Sequence, residues 1–343
     1  MDEKLTETSI SQTFIPQRET EMINAKTLTI EIDPQGNQDS QDSQDAQHHQ
    51  HLSLSYLQCQ SHQQGVKSDE TPALLFLHGI LGDARTWLPF LSAFPQYDCY
   101  ALTLSGFGKI EPGSAEGEIL FDTDRHAAEV VAFCQALNKQ EGKPQRKYIV
   151  IAWSYACHVA LLAADKDRSQ NHSLFSELIL YELIIPSYGI SEEKHQQFTR
   201  DIAKMMSPII RAFRRNEEMQ AIDHFIAACK NAPFTLKEQS KHIQEIKEEN
   251  RHTLNKLLTQ KDPLPFTAEM LQTLNERVPI TILWGKNSRA IFQLSSQAAF
   301  TALNEESTTL SKTVKGGEID ADHLLPEENP EKLILLLKEL ISQ

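Results

Sequence analysis

Hydrophobic and polar positions along this chain follow three patterns. Short, nearly continuous apolar runs recur at "ALLFLHG" (73–79), "DCYALTL" (98–104), "KYIVIAW" (147–153), "LILYEL" (178–183) and "ITILWG" (280–285). Such runs predict strands covered on both faces, as in a parallel sheet flanked by helices. Two earlier stretches, "KTLTIEI" and "HLSLSYLQ", alternate apolar and polar residues and predict an antiparallel hairpin. An eighth run, "TLSKTV" (309–314), carries the same signal more weakly.

Helical periodicity fills the intervals, over 122–138, 155–165, 291–303 and 330–342. The last helix has a clear start: Asn329 as N-cap, Pro330 in the first turn, and Glu331 beside the positive end of the helix dipole. After the sixth apolar run the pattern changes. Residues 192–260 read as helix, with Ile202, Met205, Met206, Ile209 and Ile210 spaced among charges. The fold class this predicts is α/β: a mostly parallel central sheet of about eight strands flanked by helices, with a helical insertion after the sixth strand.

Domain organisation follows from the same pattern. Residues 1–22 read as a flexible tail, 23–190 and 278–343 as two parts of one core, and 191–277 as the insertion. Within the first part, "DPQGNQDSQDSQDAQHHQH" (33–51) is too polar to bury apolar area and is expected to be a mobile loop. Its histidines read as members of a polar loop, and no metal or cofactor is called for.

Composition narrows the class. With 343 residues, 40% hydrophobic and 23% charged, the chain has the make-up of a soluble globular protein. No apolar run approaches the roughly 20 residues of a membrane span, and "MDEKLTETSI" has no apolar core of a signal peptide. Cys59, Cys99, Cys134, Cys157 and Cys229 are scattered without CxxC spacing, which favours reduced thiols and a cytoplasmic location. A net charge of -14 argues against nucleic acid and anionic membranes as partners and says little about the substrate, which is expected to be a small molecule. The charge is uneven, since residues 192–262 hold 13 Lys/Arg against 11 Asp/Glu, which reads as a solvated helical surface. Oligomeric state leaves no mark in the sequence.

Chemistry in an open α/β sheet is sought beyond the carboxyl ends of the strands. Ser154 stands there in "VIAWSYACHVALLAA" (150–164), between a strand and a helix. A serine on such a sharp turn exposes its hydroxyl, while the helix N-terminus offers amides to a developing oxyanion. Small residues two before and two after let strand and helix close around it. Here they are Ala152 and Ala156, each a methyl larger than glycine.

With these residues in view, the chain resembles the α/β-hydrolase fold superfamily over nearly all of 23–343. "LFLHGILGDARTW" (75–87) is similar to its oxyanion loop, "LTLSGFGKI" (102–110) to its "D-x-x-G-x-G-x-S" segment with Thr103 in place of the aspartate, and "DADHLLPEENPEKL" (320–333) to its histidine segment. "VPITILWGKNS" resembles the strand that usually delivers the catalytic acid. The resemblance implies Ser154 as nucleophile, His323 as general base, and the backbone amides of Ile80 and Tyr155 as oxyanion donors. It implies no cofactor, gives His78 a structural role in the loop, and makes 191–277 a cap that excludes water and shapes the pocket. Trp153, Met205, Met206 and Phe213 are the expected pocket residues; the last three, at helical spacing, equally suit plain packing.

The acid departs from the common pattern. Three residues after the glycine of "LWG" stands Ser288, preceded by Asn287, and neither side chain carries charge, with Asn287 left open as an alternative orienter of the histidine. Glu182 ends the strand "LILYE", and "YELIIP" resembles the "E-x-x-x-P" of the haloalkane dehalogenase branch, where the acid comes from this strand. Asp320 and Asp322 lie too close in sequence to His323 to reach its far nitrogen. Three functions remain open: hydrolysis of esters or thioesters of small apolar acids, hydrolysis of carbon–carbon bonds with the same residue types, and ligand binding without turnover.

Overall fold

The computed structural model describes residues 23–32, 50–61, 71–109, 121–167, 173–185, 188–260, 265–305 and 315–341. The expected tail (1–22), nearly all of the 33–51 loop and the "TLSKTV" run lie outside them. The strands are β1 (Ile23–Ile32), β2 (Gln50–Cys59), β3 (Ala73–Leu77), β4 (Cys99–Leu102), β5 (Tyr148–Trp153), β6 (Phe175–Tyr181), β7 (Ile280–Gly285) and β8 (Gly316–Ile319). They form one sheet in the order β1-β2-β4-β3-β5-β6-β7-β8. The pairs β1–β2 and β2–β4 are antiparallel and every other pair is parallel.

The apolar runs became the interior strands because both of their faces are covered. Leu75, Leu77, Val150, Ala152, Leu178, Leu180 and Ile282 face one apolar layer, shared with helices α1 (Thr123–Gln140) and α2 (Tyr155–Lys166). Leu74, Phe76, Ile149, Ile151, Ile179, Tyr181 and Leu283 face the other. This is the period-two alternation of a strand applied to residues that are apolar at both phases. β8, "GGEI", is a half-exposed edge strand. Gly316 there has φ of 113°, and a Cβ on it would come 2.0 Å from the Ile282 carbonyl oxygen, so only glycine lets it pair with β7.

The insertion comprises α3 (Glu192–Arg214), α4 (Glu218–Lys230), α5 (Lys241–Glu249), α6 (His252–Thr259) and α7 (Ala268–Arg277), followed in the core by α8 (Ala290–Glu305) and α9 (Pro330–Ile341). α3 begins where Ser191 Oγ accepts from the Lys194 amide, and its Met205 and Ile209 are buried. Those two, with Ile222 and Phe225 of α4, continue the second apolar layer outward from the sheet. α7 differs: Leu271 and Leu274 join the first layer beside Ala299 and Leu303 of α8. No helix among the described residues is long and apolar enough to cross a membrane.

Candidate active site

The hydrogen-bonding ladder of the sheet runs one residue past the strands. The Ser154 amide donates to the Tyr181 carbonyl and the Glu182 amide to the Leu283 carbonyl, each at 2.9 Å. Ser154, Glu182 and Gly285 are thereby set side by side at the carboxyl edge. Ser154 turns at φ 58° and ψ -120° into α2, and its side chain makes no capping bond to the helix, which leaves Oγ available. Ala152 and Ala156 are fully buried, and neither has a positive φ. The turn therefore needs small residues at those positions rather than glycine's backbone freedom.

His323 arrives from the loop after β8. Its Nε2 lies 3.0 Å from Ser154 Oγ, and its Nδ1 lies 2.5 Å from Glu182 Oε2. A carboxylate can only accept, so Nδ1 carries the proton and Nε2 is free to accept from the serine hydroxyl. The ring is held on its face and through its backbone. Phe292 stacks on it, with centroids 3.7 Å apart and planes within 9°. Trp153 Nε1 donates to the His323 carbonyl at 2.9 Å, and the Tyr181 hydroxyl to the preceding carbonyl of Asp322 at 2.5 Å. Exposure is 4% for Ser154, 0% for Glu182 and 2% for His323.

Ser288 meets the acid and not the imidazole. Its hydroxyl is buried and donates to Glu182 Oε1, the same oxygen that accepts from the Gly285 amide at 2.7 Å. Asn287 is exposed and its side chain donates to Asp320. Asp322 takes the ammonium of Lys230 at 2.9 Å, and Asp320 that of Lys286. None of these three touches the imidazole. Sequence spacing concealed Ser288 because its partner lies 106 residues away and the side chain carries no charge.

The loop after β3 is fixed by His78. The Leu104 amide donates to Nε2 and Nδ1–H donates to the Gly79 carbonyl, so this imidazole is neutral. Burial pushes its pKa down to about 4. A Cβ on Gly79 would lie 3.2 Å from the Trp153 ring and 3.3 Å from Ser154 Cβ, which is how closely this loop approaches the serine. Ile80 is part-buried against both apolar layers, and Leu81 is buried at φ 62°. Tyr155, next to Ser154, is buried, and its hydroxyl meets His126 Nδ1 at 2.8 Å. His126 Nε2 in turn donates to the Ser105 carbonyl, and Ser105 Oγ to Glu129. Burial raises the Tyr155 phenol well above its ordinary value, so it stays protonated.

Around this centre the insertion is tied down by polar bridges. Lys247 and Glu327 form a buried ion pair at 2.7 Å, Arg289 pairs with Asp201, and Arg85 joins Asp83 and Glu249. Burial pushes the Asp83 carboxyl up, yet the hydrogen bonds from Arg85 outweigh it and hold the group below its ordinary value. Asn250 bridges two loops at once, accepting from the Gly108 amide at 2.6 Å and donating to Asp83 at 2.8 Å. Of the expected pocket residues, Trp153 and Met205 are buried in the second apolar layer, and Met206 and Phe213 pack on it from α3. A groove of about 620 Å3 between β2 and the 103–109 loop is lined by none of Ser154, Glu182 and His323. Cys157 sits behind the serine, where burial pushes its thiol well up and keeps it unreactive.

These features meet those of known proteins at residues 74–334, which match the model of the alpha/beta hydrolase family. The chain belongs to that family. Solved structures of similar fold include a thermophilic esterase from Thermogutta terrifontis (17% identity, 92% of this chain and 98% of that one, TM-score 0.57). Others are an enol-lactonase from Burkholderia xenovorans LB400 (12%, 85% and 97%, 0.58) and a carboxylesterase from Bacillus subtilis (15%, 85% and 88%, 0.57). At such identities the likeness is one of fold. No curated protein matches.

Proposed function

We propose that this hydrolase is a serine hydrolase acting on carboxylic esters or thioesters of small apolar acids. The observation that carries this is the continuous chain from Ser154 Oγ through both nitrogens of His323 to Glu182. Ser154 Oγ attacks the carbonyl carbon as its proton passes to Nε2, and the Nδ1–H bond to Glu182 steadies the imidazolium that forms. The oxyanion is held by the backbone amides of Ile80 and Tyr155, each such donor being worth about 2.7–4 kcal/mol. As the intermediate collapses, the leaving oxygen or sulfur takes the proton from Nε2 and an acyl-serine remains. Water, deprotonated by the same nitrogen, then releases the acid and restores Ser154.

An apolar acyl group suits what surrounds the centre. Trp153 and Phe292 touch His323 directly, and Met205, Met206 and Phe213 belong to the same apolar layer. The charged groups that flank the centre are already paired: Lys230 with Asp322, Lys247 with Glu327, and Arg289 with Asp201. A substrate carboxylate would find no spare cation among them. Residues 191–277, or their part up to α6, act as the cap, and with so little of the serine exposed the cap moves for substrate to enter.

A series of p-nitrophenyl esters tests the reading. Short and medium apolar acyl groups are expected to turn over, dicarboxylic monoesters to be poor, and Ser154→Ala to be inactive with its thermal transition nearly unchanged. Hydrolysis that survives Ser154→Ala would remove the serine from the mechanism.

A further inference from the structure

We infer that Ser288 is a positioning residue for the Glu182 carboxylate, fixing the oxygen that does not face the histidine so that the other one does. The inference rests on the hydrolase reading for its kinetic consequences and on geometry for its premise. Glu182 Oε1 accepts two bonds, from the Gly285 amide and from the Ser288 hydroxyl, while Oε2 accepts one, from His323. Two donors on one oxygen, one from the end of β7 and one from the loop after it, set the carboxylate plane. Glu182 is fully buried, so no bulk water stands ready to replace either donor.

Ser288 could instead be an ordinary turn residue, and its bonds argue otherwise. The turn is closed by backbone, the Ser288 amide donating to the Gly285 carbonyl at 3.2 Å. Gln293 Nε2 donates to the Ser288 carbonyl at 2.7 Å, fixing the residue from the following helix. The hydroxyl is thus released from local duty and crosses to the acid. It lies so close over Gly285 that a Cβ there would meet Ser288 Oγ at 2.7 Å.

The hydroxyl spreads part of the carboxylate charge away from His323, since a bond to the ionised form stabilises it. Without it, more of that charge falls on Nδ1–H, and the imidazole holds its proton more tightly. With the carboxylate plane no longer fixed, Ser288→Ala is expected to lower kcat about 10- to 100-fold, the usual worth of a hydrogen bond to a charged group, with KM nearly unchanged. The acid limb of the kcat/KM profile should move to higher pH, and the low-field proton NMR resonance of His323 Nδ1–H should shift. Ser288→Thr, which keeps the hydroxyl, should recover the wild-type limb and resonance.

Unchanged kcat, acid limb and resonance in Ser288→Ala would overturn the proposal. So would a loss of stability and activity with the limb and resonance in place, which marks a purely structural residue. If the alanine variant does not fold, Ser288→Cys keeps the bulk with a weaker donor. A limb and resonance shifted from those of Ser288→Thr would then support the proposal, and identical ones would overturn it. Fluorophosphonate labelling of the wild-type chain is scored separately. A chain that fails to label at Ser154 removes the hydrolase reading, while the NMR comparison still decides what Ser288 does to the Glu182–His323 pair.

Discussion

Five residues other than glycine have positive φ among those described, and they divide between two regions of the molecule. Leu81, Ser154 and Glu182 follow β3, β5 and β6, where the sheet meets the site; Asn216 and Asn231 close α3 and α4 in the insertion. The asparagines adopt the left-handed conformation at helix ends, where it is cheap for them. A leucine, a serine and a glutamate in that region each cost about 1–3 kcal/mol. The surrounding sheet sustains this through the Ser154 and Glu182 amides, which continue its ladder. The insertion is held instead by side chains reaching across from separate elements, as in Lys247–Glu327, Arg289–Asp201 and Asn250 with Asp83. The placement of Ser154 and Glu182 is thus built into backbone that cannot relax without breaking the sheet. The polar ties of the insertion can break one at a time.

The comparison predicts different losses when each region is cut. At the strand ends, Glu182→Gln should leave the fold intact while kcat falls by up to about 10^4-fold, as when an acid of this kind loses its charge in a serine protease. Steady-state kinetics beside a melting curve would check this; a fully active variant would reassign the acid. At the insertion, the order of effects should reverse. Lys247→Met leaves Glu327 buried without its partner, and urea unfolding should show a loss of about 3–5 kcal/mol, with Lys247→Met/Glu327→Leu recovering most of it. An activated ester small enough to enter without full opening should still turn over in the double variant.

A smaller effect comes from pH. The His78 imidazole is buried neutral, with its pKa depressed from 6.5 to about 4, so the unfolded chain binds a proton there before the folded one does. Its contribution is fully present above about pH 6.5 and falls away as pH drops towards about 4, by roughly 3 kcal/mol in all. Urea midpoints across that window should decline, and His78→Asn should flatten the decline. An equal slope in the variant would place the titration elsewhere.

How much of this was legible in the sequence depended on whether a residue's partner was local. β3, β5, β6 and β7 stood out because strands buried on both faces must be apolar throughout. β8 escaped because an edge strand of two glycines, a glutamate and an isoleucine has no such run. The juxtaposition of Ser154, Glu182 and His323 was expected from strand ends and chain order only together with the resemblance to α/β-hydrolases. Ser288 was not, since a neutral hydroxyl shows nothing of the carboxylate it serves. Phe292 stacked on His323 lies in a helix whose apolar spacing reads as packing, and Asn250 looks like any polar helix end. α7 was grouped with the other insertion helices by its place in the chain, yet it packs with α8 against the sheet.

The central claim is that Ser154 is a nucleophile activated by His323 and Glu182, and intact-mass measurement after exposure to a fluorophosphonate tests it most directly. The account predicts a single phosphonate adduct, mapped by peptide analysis to Ser154, formed far more slowly in Glu182→Gln and absent in Ser154→Ala. No adduct on the wild-type chain, or one on another residue that survives Ser154→Ala, would contradict it.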